Sequence, residues 1–401
     1  MRSNQIRGAA LVALAPAVLL GLAACSSGED DEAGGDDASR AASSTTGPRL
    51  AVSYEGGVMV LDGQSLDVVA DLDSEEFTRL NPAGDGRHVM VTVADGFQLL
   101  DTGAGTDGGD AVLTDTVFEA DTPGHVVTHA GRTVLYADGT SDTTILESAD
   151  LAEGDDAPTE TVEGTEAHHG VSIVLEDGTF LTTVGDDESR SGAVALDADG
   201  ATVAESDECP DIHGEGTAAD EAVVFGCEDG ALLYRDGEFT KLDAPDPYGR
   251  MGNAWVSETS PLVVGDYKTD PDAEGYLLEA VTVIDTDAAT LDVVPLPDGV
   301  EYTFRDVARG PGDLAYVLAT DGSLHVLDPE TRELVDAYPV IEPWEGPAEW
   351  QDPHPTLRVH GDVAYVTEPA ADAVHAVDLT TGEVLTTATL DATPNEIAVA
   401  G

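Results

Sequence analysis

Residues 314–334 read Leu-Ala-Tyr-Val-Leu-Ala-Thr-Asp-Gly-Ser-Leu-His-Val-Leu-Asp-Pro-Glu-Thr-Arg-Glu-Leu. A run of Leu, Ala, Tyr and Val, an Asp-Gly turn and a second apolar run are the marks of an antiparallel hairpin. The same unit recurs on both sides of this stretch. It appears as LAVSYEGGVMVLDG at 50–63, HVMVTVADGFQLLDT at 88–102, TVLYADGTSDTTIL at 133–146 and VSIVLEDGTFLTTV at 171–184. It returns as AVVFGCEDGALLYR at 222–235, PLVVGDYK with VTVIDT at 261–286, and VAYVTEPAADAVHAVDLTTGEVL at 363–385. Polar or small segments open the units near Asn81, His125, His168, His213, Gly252, Asp306, His354 and Thr393. A period of about 40 to 45 residues with four short strands each is the signature of a β-propeller.

The last fragment, Pro394–Ala400, is one strand long, and the first unit, from Arg49, starts one strand late. Together they complete one blade and close the ring, which removes exposed sheet edges. The sequence is therefore read as an all-β propeller spanning 49–401, with eight blades. Seven is the alternative if the irregular stretch 252–305 is an elaborated insertion. No segment after the N-terminal region carries helical periodicity.

Residues 1–24 have a basic start (Arg2, Arg7), an apolar stretch and small residues before Cys25, the layout of a secretory leader. Leu22-Ala23-Ala24-Cys25 resembles a bacterial lipobox, which implies cleavage before Cys25, lipidation of that cysteine and an extracytoplasmic, membrane-tethered protein. Residues 25–48 are rich in Ser, Gly, Asp and Ala and cannot bury enough surface to order themselves, so a flexible tether is expected. The other two cysteines, Cys209 and Cys227, make an even pair in an oxidising compartment, which favours a disulfide over a metal-thiolate site.

The chain has 80 acidic and 16 basic side chains and a formal charge of −64. Nucleic acid and anionic headgroups are poor partners for such a surface, leaving the lipid as the membrane contact. Histidine is scarce, at ten residues, and its placement is informative. His125, the His168-His169 pair, His213 and His354 open four of the eight units. The first strand of each propeller blade lines the central channel, so equivalent leading ends converge on one axis. Imidazoles from three consecutive units, joined by a carboxylate, suit Zn2+ better than calcium or magnesium. Glu166, Asp211, Glu215 and Asp352 are the acids near enough in sequence to complete or orient such a site. His354 lies three units beyond His213 and must reach across the funnel or serve a second site.

Enzyme motifs give little: no H-E-x-x-H, no G-x-S-x-G and no P-loop are present. The acidic run Asp270–Gly275 lacks the closing Glu of a calcium loop, since Val281 holds the twelfth position. Taken jointly, residues 123–139 (PGHVVTHAGRTVLYADG), 167–193 (AHHGVSIVLEDGTFLTTVGDDESRSGA), 209–234 (CPDIHGEGTAADEAVVFGCEDGALLY) and 350–369 (WQDPHPTLRVHGDVAYVTEP) resemble the AztD-type zinc metallochaperones. The resemblance implies a monomeric, non-enzymatic propeller that holds zinc at its funnel and passes it to the solute-binding protein of a zinc ABC importer. It places the ligands at His125, His168, His169 and His213, with His354 as a further candidate, and it reads Cys209 and Cys227 as a disulfide. The region 28–39, GEDDEAGGDDAS, departs from relatives that carry a His-rich segment near the mature N-terminus. A metal-dependent hydrolase or lyase, and a metal-free binding propeller, are the competing functions. Because imidazole must be deprotonated to bind metal, zinc affinity is expected to fall as pH drops through about 6 to 7.

Overall fold

A computed structural model of the chain describes residues 47–105, 109–273 and 275–401. The leader 1–24, Cys25 and the tether as far as residue 46 lie outside the described residues. The described chain folds into eight sheets, each built on four antiparallel strands in succession, with the two-residue strand Gly249–Arg250 adding a parallel partner to Asp229–Arg235 in the fifth. Blade 1 is the composite one: Ile397–Ala400 is its inner strand, followed outward by Arg49–Tyr54, Gly57–Asp62 and Val68–Asp73. Arg49 pairs with Ala400 and Val52 with Ile397, so the first and last strands of the described residues close the ring. The inner strands of blades 2 to 8 are Leu80–Pro82, Pro123–His129, Ser172–Val174, His213–Thr217, Ala254–Trp255, Val307–Arg309 and Leu357–His360. The irregular 252–305 stretch is a full sixth blade with long connections, so the seven-blade alternative falls. Among the described residues the helical segments are short 3-10 turns, and no helix is long and apolar enough to cross a membrane.

Period-two alternation explains how blades pack. Along Arg49–Tyr54 and Gly57–Asp62, Leu50, Val52, Met59 and Leu61 meet Tyr365 and Val374 of blade 8. Their alternates Ala51, Val58 and Val60 meet Leu80, Val89 and Val91 of blade 2. The middle strands therefore bury both faces, and the core is a ring of inter-blade clusters rather than one central mass. Outer strands such as Val68–Asp73 are mostly exposed.

The turns between third and fourth strands repeat one device. A terminal aspartate accepts hydrogen bonds from backbone N–H groups two and three residues on: Asp62 from Gln64 and Ser65, Asp285 from Asp287 and Ala288, Asp378 from Thr380 and Thr381. These Asx turns account for several of the acids as structural turn-formers.

Candidate metal centre

Every inner strand starts at the same mouth of the ring, and three imidazoles meet there. His125 lies on a bulge, where the pairing of Pro123–His129 with its neighbour slips between Pro123 and Val126. His213 opens its strand at another bulge, between His213 and Glu215. Bulges re-aim side chains out of the regular alternation. Gly214 permits the second one: its φ is +63°, and a Cβ there would stand 2.4 Å from the Gly252 carbonyl oxygen. His169 comes from the segment leading into Ser172–Val174.

The ring centroids of His125, His169 and His213 are separated by 5.1, 5.3 and 5.0 Å for the 125–169, 125–213 and 169–213 pairs. One nitrogen from each ring falls within 4.8 Å of the other two. The Nε2 atoms of His169 and His213 are 3.0 Å apart. Their other nitrogens are committed. The Nδ1–H of His213 donates to the Gly252 carbonyl at 2.5 Å, and that of His169 donates to Asp138 Oδ2 at 2.6 Å. A carbonyl and a carboxylate only accept, so both Nδ1 atoms carry the hydrogen and both Nε2 atoms present lone pairs to each other. Two facing lone pairs at that distance need a cation between them. A proton is disfavoured: burial, opposed by the Gly252 hydrogen bond but reinforced by His169, Arg250 and Arg190, brings His213 down to about 3. Burial, then His213, His169, Arg79 and Arg190, holds His125 well below the usual imidazole value. A tetrahedral zinc with bonds of about 2.05 Å needs nitrogens about 3.3 Å apart, close to the 3.0 Å between the Nε2 atoms of His169 and His213.

The supporting residues are specific. Asp266, buried, accepts from the backbone N–H groups of Gly252 (2.5 Å) and Asn253 (3.0 Å) and so fixes the loop that receives His213. Burial, against those hydrogen bonds, raises its carboxyl. A disulfide joins Cys209 to Cys227, across 18 residues of sequence, and ties the approach to His213 to the next strand of blade 5.

The other sequence candidates are placed elsewhere. His168 is buried with both nitrogens occupied: Nδ1 by Ser141 Oγ and the Glu166 carbonyl (both 2.9 Å), Nε2 by Thr183 Oγ1 (3.0 Å) and Tyr136 OH (3.1 Å). It anchors the segment, while its neighbour His169 faces the cluster. Asp211 is bound by Arg190 and Arg250. Glu215 is half-buried on the inner strand, its carboxyl pushed up by burial to about 7, and is not part of the three-residue cluster. His354 lies on the far side of the mouth, its Nδ1–H donating to the Asp352 carbonyl at 2.7 Å. The structure adds two residues that sequence reading missed, Asp138 and Asp266. Asp138 sits in an Asp-Gly pair that reads as a plain turn; its place beside the leading end of the next blade was the available signal.

The fold and its site define an eight-bladed β-propeller with a three-histidine cluster at one mouth of its channel. The chain is 25% identical over 327 residues to the zinc chaperone AztD of Citrobacter koseri, covering 78% of this chain and 74% of that one. The fold agrees: the structure of apo AztD from Citrobacter koseri superposes with a TM-score of 0.74 at 20% identity, over 88% of this chain and 98% of that chain. A second crystal structure of the same protein gives 0.72 at 20% identity, over 88% and 97%. No protein-family model matches the chain.

Proposed function

We propose that this protein is an extracytoplasmic zinc chaperone that carries Zn2+ on His125, His169 and His213 and delivers it to the solute-binding protein of a zinc ABC importer. The observation that carries the reading is the pair of bare Nε2 atoms 3.0 Å apart with their Nδ1 partners fixed. The similarity to a zinc chaperone over 78% of the chain supports the same reading. The role is binding and transfer rather than turnover. Three protein ligands leave one tetrahedral position free for an incoming ligand from the acceptor. The leader 1–24 exports the chain, and lipidated Cys25 keeps it at the membrane beside the importer.

The test is zinc stoichiometry and affinity of the mature, unlipidated chain by chelator competition. One tight site, lost in His125→Ala, His169→Ala and His213→Ala but kept in His354→Ala, is expected. Tight binding that survives all three substitutions would sink the assignment. Transfer is read by mixing zinc-loaded protein with the apo solute-binding protein and following which one holds the metal. Anchoring is read by detergent partition of the wild type against Cys25→Ser; equal partition would remove the lipid from the account.

A further inference from the structure

The histidines occupy the sector of the mouth that belongs to blades 3, 4 and 5. The leading ends of blades 7, 8, 1 and 2 bring a second constellation to the same mouth. Arg305 precedes Val307–Arg309 by two residues, Arg358 is second in Leu357–His360, Glu396 immediately precedes Ile397–Ala400, and Arg79 immediately precedes Leu80–Pro82. Glu396 is 1% exposed. Its Oε1 meets Arg79 Nε at 2.6 Å and Arg305 at 3.1 Å, and its Oε2 accepts the Leu80 N–H at 3.1 Å. Arg305, 2% exposed, also donates to Asn395 Oδ1 at 2.6 Å and to the Trp350 carbonyl at 2.9 Å. The Arg79 guanidinium lies 5.4 Å from the Trp350 ring centroid, and its side chain is 39% exposed, so the sector is open to solvent at that point.

Charge among the inward-facing groups of this sector does not balance. Three guanidiniums face two buried acids, Glu396 and Asp306, while a third acid, Asp352, stands exposed in solvent beside His354. Burial pushes Asp306 up to about 8, towards its neutral form. Against the buried acids alone, one positive charge is left over with Asp306 ionised and two with it neutral. A buried charge without a counterion is costly, and a chain with 80 acids had ample means to supply one. Two buried nitrogens of the sector, Arg305 Nε and His354 Nε2, also lack a partner among the described residues. His354 is 2% exposed, its ring 6.3 Å from Phe304, the neighbour of Arg305. Because its Nδ1–H donates to the Asp352 carbonyl, its Nε2 is a bare acceptor. The sector therefore offers cationic donors together with two buried atoms that lack a partner among the described residues, the acceptor His354 Nε2 and Asp306 Oδ1.

We propose that this arginine sector binds a small oxyanion that retains a hydroxyl, the chemistry shared by hydrogen phosphate and bicarbonate. The anionic oxygens take the guanidinium donors, bidentate where two N–H groups align. The hydroxyl donates to His354 Nε2. Sulfate and chloride carry no such donor, and both leave the acceptor unfilled.

The experiment uses metal-free protein at pH 7.5 and constant ionic strength, titrated calorimetrically and by thermal shift with sodium phosphate, bicarbonate, sulfate and chloride. Saturable binding of phosphate or bicarbonate is expected, at least ten-fold tighter than sulfate; which of the two binds more tightly identifies the source. Arg79→Gln, on a half-exposed side chain, is expected to weaken binding at least ten-fold. His354→Phe is expected to erase the preference over sulfate while Arg79-dependent binding persists. Circular dichroism and zinc binding of both variants establish that they fold. The proposal is overturned if all four salts act alike, if no titration saturates, or if folded Arg79→Gln binds as the wild type does.

Discussion

Zinc binding at pH 5.5 is expected to release no more than about one proton per metal. A free imidazole with pKa about 6.5 is about 90% protonated at that pH, so three ordinary histidines would give up about 2.7 protons to one zinc. Here the balance differs ligand by ligand. His213, brought down to about 3, holds almost no proton at pH 5.5. His125, held well below its ordinary value by burial and by the neighbouring imidazoles, is pushed towards the neutral form in the same way. The third ligand can add at most one proton to the count, since an imidazole that binds metal gives up no more than one. The sign follows: a depressed imidazole is already neutral, does not compete with the metal, and lets binding persist further into acid. The fall in affinity through pH 6 to 7 expected from imidazole ligation is therefore limited to at most a one-proton slope. Calorimetry in two buffers of different ionisation enthalpy gives the proton count, and log K against pH from 5 to 6.5 gives the slope. A release of two or more protons, or a slope near three, would refute the argued desolvation of the cluster.

Asp138→Asn should weaken zinc binding by about 10 to 100-fold, by loosening the ring of His169, with the melting temperature nearly unchanged. His168→Ala should cost about 2 kcal/mol of stability by stranding the hydroxyls of Ser141, Thr183 and Tyr136, whereas His169→Ala should abolish tight zinc binding at little cost to the metal-free fold; denaturant melts and chelator titrations separate the two. Metal-free protein should lose stability as pH falls below about 6.5, because the unfolded chain then binds protons that folded His125, His213 and His354 refuse, at no more than about 1.4 kcal/mol per pH unit for each. For His354, lowered by burial to about 4, the loss ends near that pH, and a melting series from pH 7 to 4 reads it. Replacing both Cys209 and Cys227 by serine should cost on the order of 3 kcal/mol by loop entropy and also weaken zinc binding, since the bridge braces the segment before His213.

The blades were legible because a hairpin carries its signal locally: alternating apolar residues, an Asp-Gly turn and a repeat of fixed length. Ring closure was legible because one strand was missing at the start and one was spare at the end. The histidine phase was legible for the same reason, since residues at one repeat position share one mouth. The choice within His168-His169 was not. Neighbours in an extended segment face opposite ways, and the direction is set by packing that sequence does not display. A Cβ at Gly170 would meet Thr183 Oγ1 at 2.3 Å and Tyr136 OH at 2.5 Å, so the chain passes tightly there with His168 tucked inward. Asp138 was hidden by its second role in a turn. Arg79, Arg305, Arg358 and Glu396 were hidden because each stands alone in sequence and belongs to a different blade.

If the three histidines are the zinc ligands proposed above, their spread over three blades bears on exchange. Two of the three imidazoles are held by their own supports: His213 by the Gly252 carbonyl, itself fixed by Asp266, and His169 by Asp138. Among the described residues no comparable acceptor holds His125, and it comes from a bulge. Two of the rings are thus oriented through Nδ1, while His125 is not. With zinc held by the three rings, an acceptor would add its own ligand at the free position and would meet His125 as the ligand without an orienting bond, so His125 would be displaced first and His169 and His213 last. In that order the metal would stay bound to at least two imidazoles until the acceptor had supplied its first ligand, and transfer would avoid release of free zinc to solution.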